Sequence, residues 1–205
     1  MNYQSIQLEN YHEQLLRWPE EGCHILAQYD QESIIVYQAY RPAIGRFAAE
    51  HQYFGGEFSL NRMSWIKPNF LWMMYRSHWG QSPGQEVVLA IRLKRSFFDE
   101  IIKTAVPSSY DPQTYPTNEA WRSAVQNSNV RLQWDPDHDP AGNKCMRRAI
   151  QLGLRGVMLE KYSKDAIYEI IDISSFVAEQ RNNISNGLNN LLTPKEDVYI
   201  PAMES

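Results

Sequence analysis

Cysteine is nearly absent from this chain of 205 residues. Cys23 and Cys145 are too few for a disulfide framework and too far apart for a compact metal knuckle, so both read as reduced thiols. Long apolar runs are missing too. The longest, such as Val87 to Ile91, fall far short of the roughly 18 residues a membrane-spanning helix needs, and polar Met1 to Asn10 lacks a signal-peptide pattern. The expectation is a soluble, cytoplasmic protein with no membrane partner. No Gly-rich phosphate loop follows a strand-like run, and HExxH, GxSxG and Cys-His signatures do not occur, which disfavours classical nucleotide folds, zinc hydrolases and serine hydrolases. His12, His24, His51, His78 and His138 share no ligand spacing, and no metal is expected. With a formal charge of −4, no global field draws the chain onto nucleic acid; any such contact must be local.

What is present is the balance of a globular protein, 43% hydrophobic and 21% charged, at a length that favours one domain over residues 1–205. Residues 23–40 read as two strands around a turn at Asp30 to Glu32, because Ile34, Ile35, Val36 and Tyr37 are β-branched or aromatic. Arg41 to His51 has helical spacing at Ile44, Phe47 and Ala48, with Pro42 suited to a first turn. Met63 to Ile66 is a short strand, Asn69 to Ser77 a helix ended by Gly80, Glu86 to Leu93 a central strand, and Ser96 to Thr104 a helix. Pro107 to Pro116 reads as a surface loop and Asn118 to Gln126 as a short helix. Val130 to Trp134 alternates like a strand, and Asp135 to Asn143 is an acidic turn. Lys144 to Gly153 fits helix or strand; Ala166 to Ile173 reads as a strand, Ser174 to Leu192 as a helix, and 193–205 as a mobile tail. The fold class is α+β, with a mixed or antiparallel β core and flanking helices.

The densest chemistry lies in Arg62 to Gly80, RMSWIKPNFLWMMYRSHWG. Trp65, Phe70, Trp72, Tyr75, His78 and Trp79 are interleaved there with Arg62, Lys67, Asn69 and Arg76. Such a segment can wall a pocket that stacks a planar ring while its cations meet phosphate. A densely packed core helix with snorkelling basic residues accounts for the same composition. In Asp135, Asp137 and Asp139 the calcium-loop pattern fails: its sixth-position glycine is displaced to Gly142 and its twelfth position is Met146.

The set VYQAY (36–40), the 62–80 block, QEVVLAI (85–91), LQWDPDHD (132–139) and RRAIQLGLRG (147–156) resembles a widespread microbial family described only as a domain of unknown function. More distantly, the order of parts is similar to DarT-like ADP-ribosyltransferases. IKPNFLWMMYRS (66–77) resembles their turn before a Met-rich helix, and RRAIQLG (147–153) falls where their R-x-A-E-type segment lies. That resemblance implies a split sheet, NAD as donor substrate and transfer of ADP-ribose to a nucleic-acid or protein acceptor. It implies Gln151, Tyr37 and Asn69 as catalytic residues, Gln38, Arg41, Lys67, Tyr75 and Arg76 as NAD contacts, and Trp134, Arg147 and Arg148 as acceptor contacts. The departures are specific. Tyr37-Gln38-Ala39 stands where relatives carry a His-containing motif, Lys67 and Asn69 flank Pro68 where an arginine is expected, and Gln151, or Ile150 on another register, replaces a glutamate. A glutamine can hydrogen-bond a ribose but cannot act as a base. A catalytically silent module for a nucleotide or nucleic-acid end, and a protein-interaction scaffold, are the alternatives.

Overall fold

The computed structural model describes residues 5–202; residues 1–4 and 203–205, the ends of the expected domain and tail, lie outside the described residues. The first half runs β1 (Leu8–Asn10), α1 (Tyr11–Leu15), β2 (Gly22–Cys23), β3 (Leu26–Ala27), β4 (Ser33–Tyr40), α2 (Pro42–His51), β5 (Ser64–Ile66), α3 (Phe70–Ser77), β6 (Val87–Lys94) and α4 (Arg95–Thr104). The second runs β7 (Val106–Pro107), α5 (Asn118–Asn127), β8 (Val130–His138), β9 (Lys144–Leu154), α6 (Gly156–Ser163), β10 (Ile167–Asp172), α7 (Ser174–Ser185), β11 (Leu192–Pro194) and β12 (Asp197–Val198). No helix among the described residues is long and apolar enough to cross a membrane.

Two sheets organise this α+β fold. One is antiparallel, with β6 between β4 and β10. The other is mixed: β9 pairs with β8 along its length, with β2 in parallel at one end and with β5 antiparallel at the other. Strands β4 and β6 are buried on both faces, which is why they read as continuous apolar runs rather than alternating ones. Ile34 and Val36 enter one core with Leu89, Ile91, Ile150 and Leu152. Ile35 and Tyr37 enter a second with Val88, Phe70, Met74 and Phe176. Successive residues point to opposite faces, so one strand serves both cores.

Beyond their shared core, a single backbone bridge among the described residues joins the two sheets. Tyr37 N–H donates to the Lys67 carbonyl at 2.7 Å, and Lys67 N–H returns to the Tyr37 carbonyl at 3.3 Å. Beyond this bridge β4 and β5 diverge. Helix α3 starts immediately after it because Asn69 is its N-cap, Oδ1 accepting from Trp72 N–H at 2.7 Å. It ends in three consecutive left-handed residues, His78, Trp79 and Gly80, of which only glycine adopts that conformation freely.

Three expectations need correction. Residues 193–199, expected within a mobile tail, are instead tied to the fold: β11 pairs with β1 and β12 with β3, and Gln14 donates to Thr193 Oγ1 at 2.7 Å while accepting from Glu196 N–H at 2.7 Å. Leu191 and Tyr199 are buried apolar anchors for that segment. The acidic stretch after Trp134 is strand up to His138, and Asp137 is buried against Arg147 at 2.5 Å rather than solvated in a turn. The last helix stops at Ser185, well before Leu192.

Candidate functional site

Where the two sheets part, a cleft of about 860 Å³ opens, within the range of small-molecule sites, roughly 300–1,000 Å³. Its floor comes from β4, its walls from β5, α3 and the segment 57–65, and its far side from β8 and β9. Gly153 on β9 allows the wall to close: an added Cβ would lie 2.6 Å from Met63 Sδ and 3.0 Å from the Trp65 ring.

Four cations line this cleft: Arg41, Arg62, Lys67 and Arg76. Arg41 is paired with Glu57 at 2.5 Å across the rim, both groups exposed, a geometry that contributes little net energy in water. Lys67 is different. Only 6% of it is exposed, and among the described residues no carboxylate lies within ion-pair distance of its ammonium. Burial first, and the neighbouring Arg76 guanidinium second, push it down to about 8 from 10.5; Asp135 opposes them.

The polar wall is held from behind. Gln38 uses its whole amide: Nε2 donates to Ser64 Oγ at 2.8 Å and the Trp65 carbonyl at 3.0 Å, and Oε1 accepts from the Tyr162 hydroxyl at 2.6 Å. Tyr40 and Ser64 share a hydrogen bond of 2.8 Å. Across the cleft, Gln133 and Gln151 face each other in register on β8 and β9. Both amides donate to Asp135, at 2.8 and 2.7 Å. This fixes each amide's orientation and leaves its carbonyl oxygen as an acceptor for a hydroxyl or N–H.

Five of the residues expected at the site therefore converge: Gln38, Arg41, Lys67, Arg76 and Gln151. The other six lie elsewhere. Tyr37 is fully buried, edge-on to Phe70 at 5.5 Å, under the cleft rather than in it. Asn69 caps α3 and donates to the buried Glu196 carboxylate at 3.3 Å, which also accepts from Phe70 N–H at 2.6 Å. Tyr75 stacks on His138 at 3.5 Å, away from the cleft. Trp134 packs against the core. Arg147 is held by Asp137 and lies over the Trp18 ring at 5.0 Å, and exposed Arg148 donates to the Trp134 carbonyl at 3.4 Å. Tyr40, Glu57, Ser64, Gln85 and Gln133 line the cleft without having been read as site residues; Arg62 and Trp65 were visible only as part of the aromatic block. The Gln133–Gln151 register could have been found only with the β8–β9 pairing in hand.

Among the described residues no group of three His, Cys, Asp or Glu side chains is placed to hold a metal ion. No curated protein matches the chain significantly. A family model described as a domain of unknown function, DUF4291, matches residues 24–199, from just after β2 to just past β12, and the chain belongs to that family.

Proposed function

We propose that this cleft binds NAD and that the protein is ADP-ribosyltransferase-like, acting on a nucleic-acid or protein acceptor. The observation that carries the reading is the pairing of cations that make no ion pair among the described residues, Arg62, Lys67 and Arg76, with two amides held by Asp135 in one cleft between two sheets. The cations suit a diphosphate through charge-assisted hydrogen bonds, and the half-buried Trp65 offers a face for a planar ring. A cleft where two sheets part also suits the split sheet that the resemblance implies.

In such a transfer the bond from the anomeric carbon to nicotinamide breaks, the leaving group takes the bonding electrons, and the ribose carries developing positive charge. An acceptor lone pair then forms the new bond and the acceptor loses a proton. Gln151, oriented by Asp135, is suited to hold a ribose hydroxyl in the reactive conformer. The positioning residue for the wall is Gln38, whose amide is spent on Ser64, Trp65 and Tyr162.

A second reading is a catalytically silent nucleotide-binding module, favoured by Gln151 occupying the expected glutamate position. One experiment separates the two. The whole protein is titrated with NAD by thermal shift and calorimetry, then incubated with labelled NAD and mixed DNA, RNA and protein acceptors. Stabilisation by NAD with nicotinamide release and label transfer supports the transferase. Stabilisation without release leaves the silent module, and no stabilisation by any nucleotide removes both.

A further inference from the structure

Lys67 is the one lysine of the chain that is not exposed; Lys94, Lys103, Lys144, Lys161, Lys164 and Lys195 all face solvent. Its backbone is clamped to Tyr37 in both directions, its side chain lines the cleft, and the charged groups around it are Arg76 from α3 and Asp135 from β8. Neither comes within ion-pair distance of its ammonium. A desolvated amine that has no carboxylate partner among the described residues, opening into a cavity with two arginines likewise free of ion pairs there, is the arrangement that makes lysine a nucleophile toward carbonyl compounds.

We propose that Lys67 captures a phosphorylated aldehyde in this cleft as an imine, with Arg62 and Arg76 holding the phosphate. The neutral amine attacks the carbonyl carbon, the new C–N bond forms, and the carbonyl oxygen takes up a proton. Loss of water from the resulting carbinolamine gives the C=N bond. Amine and aldehyde become imine and water, with no change of oxidation state and no further reactant. Burial lowers the proton affinity of Lys67 to about 8, so a usable fraction of free amine exists near neutral pH. The chemistry needs only the cleft's phosphate-binding cations and stands whether or not NAD is the donor.

The test uses the full chain and pyridoxal 5′-phosphate as probe, with borohydride to reduce any imine to a stable secondary amine, and peptide mass spectrometry to map it. Lys67 should label about tenfold faster than any exposed lysine, its larger neutral fraction being partly offset by weaker basicity. Inorganic phosphate should compete, and pyridoxal without the phosphate should label Lys67 more slowly. Lys67→Met should lose this fast adduct while keeping slow labelling elsewhere, with its fold verified by circular dichroism. Labelling that simply follows exposure, or a fast adduct that survives Lys67→Met or ignores phosphate, overturns the proposal. NAD binding without imine capture removes this inference and spares the NAD reading. Imine capture without NAD binding does the reverse.

Discussion

Replacing Lys67 by methionine should make the protein more stable at neutral pH, an outcome opposite to that of most buried substitutions. The Lys67 side chain keeps its charge at the cost of moving from 10.5 in the open chain to about 8 in the fold. At about 1.36 kcal/mol per unit, that difference is about 3 kcal/mol against folding. Below the folded value both states carry the proton and the whole cost is present. Between about 8 and 10.5 the unfolded chain binds more protons than the native one, so stability rises with pH and the cost fades. Methionine retains an unbranched apolar stem and leaves no buried partner unsatisfied, since the ammonium makes no ion pair among the described residues. Allowing for lost hydration inside the cleft, a gain of about 1–3 kcal/mol is expected, or roughly 3–9 °C in Tm for a chain of this size.

The assay is urea unfolding of both proteins at about pH 7 and about pH 9.5. The wild-type deficit should shrink by about half at the higher pH, because most of the open-chain lysine is still protonated while the folded one is not. Comparing the two proteins at each pH cancels every other titrating group. A variant no more stable than wild type at neutral pH, or a gain that is unchanged by pH, refutes the assignment of an uncompensated ammonium. The same substitution should weaken binding of phosphate-bearing ligands roughly 30-fold, about 2 kcal/mol, by removing a charge-assisted contact.

Gln38→Leu should destabilise by about 2–4 kcal/mol in thermal melts, because Ser64 and the buried Tyr162 hydroxyl lose their shared partner. Arg147→Met should cost about 3–5 kcal/mol in denaturant unfolding, since it strands the Asp137 carboxylate where only 1% of that residue is exposed. Glu196 lies in the C-terminal segment with its carboxyl well above the usual range through burial, so its share of stability is present in acid and falls as pH rises from the open-chain value. Glu196→Gln should flatten that slope, whereas Glu196→Ala should weaken the start of α3 by about 1–2 kcal/mol in the same titration. Gln151→Ala should reduce nicotinamide release about tenfold or more while leaving Tm within about 1 °C, because the residue is only half-buried and its partner Asp135 keeps Gln133; full activity in that variant would sink the catalytic assignment.

The elements most legible in the sequence were those whose causes are local. Pro42 opened α2, Asn69 capped α3, and the double-faced apolar runs at Ile34 to Tyr37 and Val87 to Ile91 became the two strands that carry both cores. Less legible were elements that exist by partnership. Residues 144–154 alternate too weakly to declare themselves a strand until β8 lies beside them, and β11 and β12 are two or three residues long. Helix α6 went unread although its buried Met158, Leu159, Tyr162 and Ser163 recur at helical spacing on one face. For the site, the period of two explains the failures better than any missing motif. Tyr37 and Gln38 are neighbours on a strand and must face opposite ways, so they cannot both touch one ring. Trp134 enters the core while Gln133, one residue earlier, lines the cleft.

The aromatic block divides along the same logic. Phe70, Trp72, Met73 and Met74 are buried, so the core-helix account of that composition holds for α3 itself. Function is left to the segment before the helix and to its last turn, from which Arg62, Trp65, Lys67 and Arg76 reach the cleft. The nearby buried acids each have a specific partner: Asp137 has Arg147, and Glu196 accepts from the first amide of α3. Among the described residues Lys67 has no such partner, and an apolar stem of the same length would serve the junction of β4 and β5. Sequences that break a local rule without a structural return do so where function requires it. An ammonium that destabilises the empty fold gains its compensation when an anion enters, and ligand binding at this cleft is the event that would supply it.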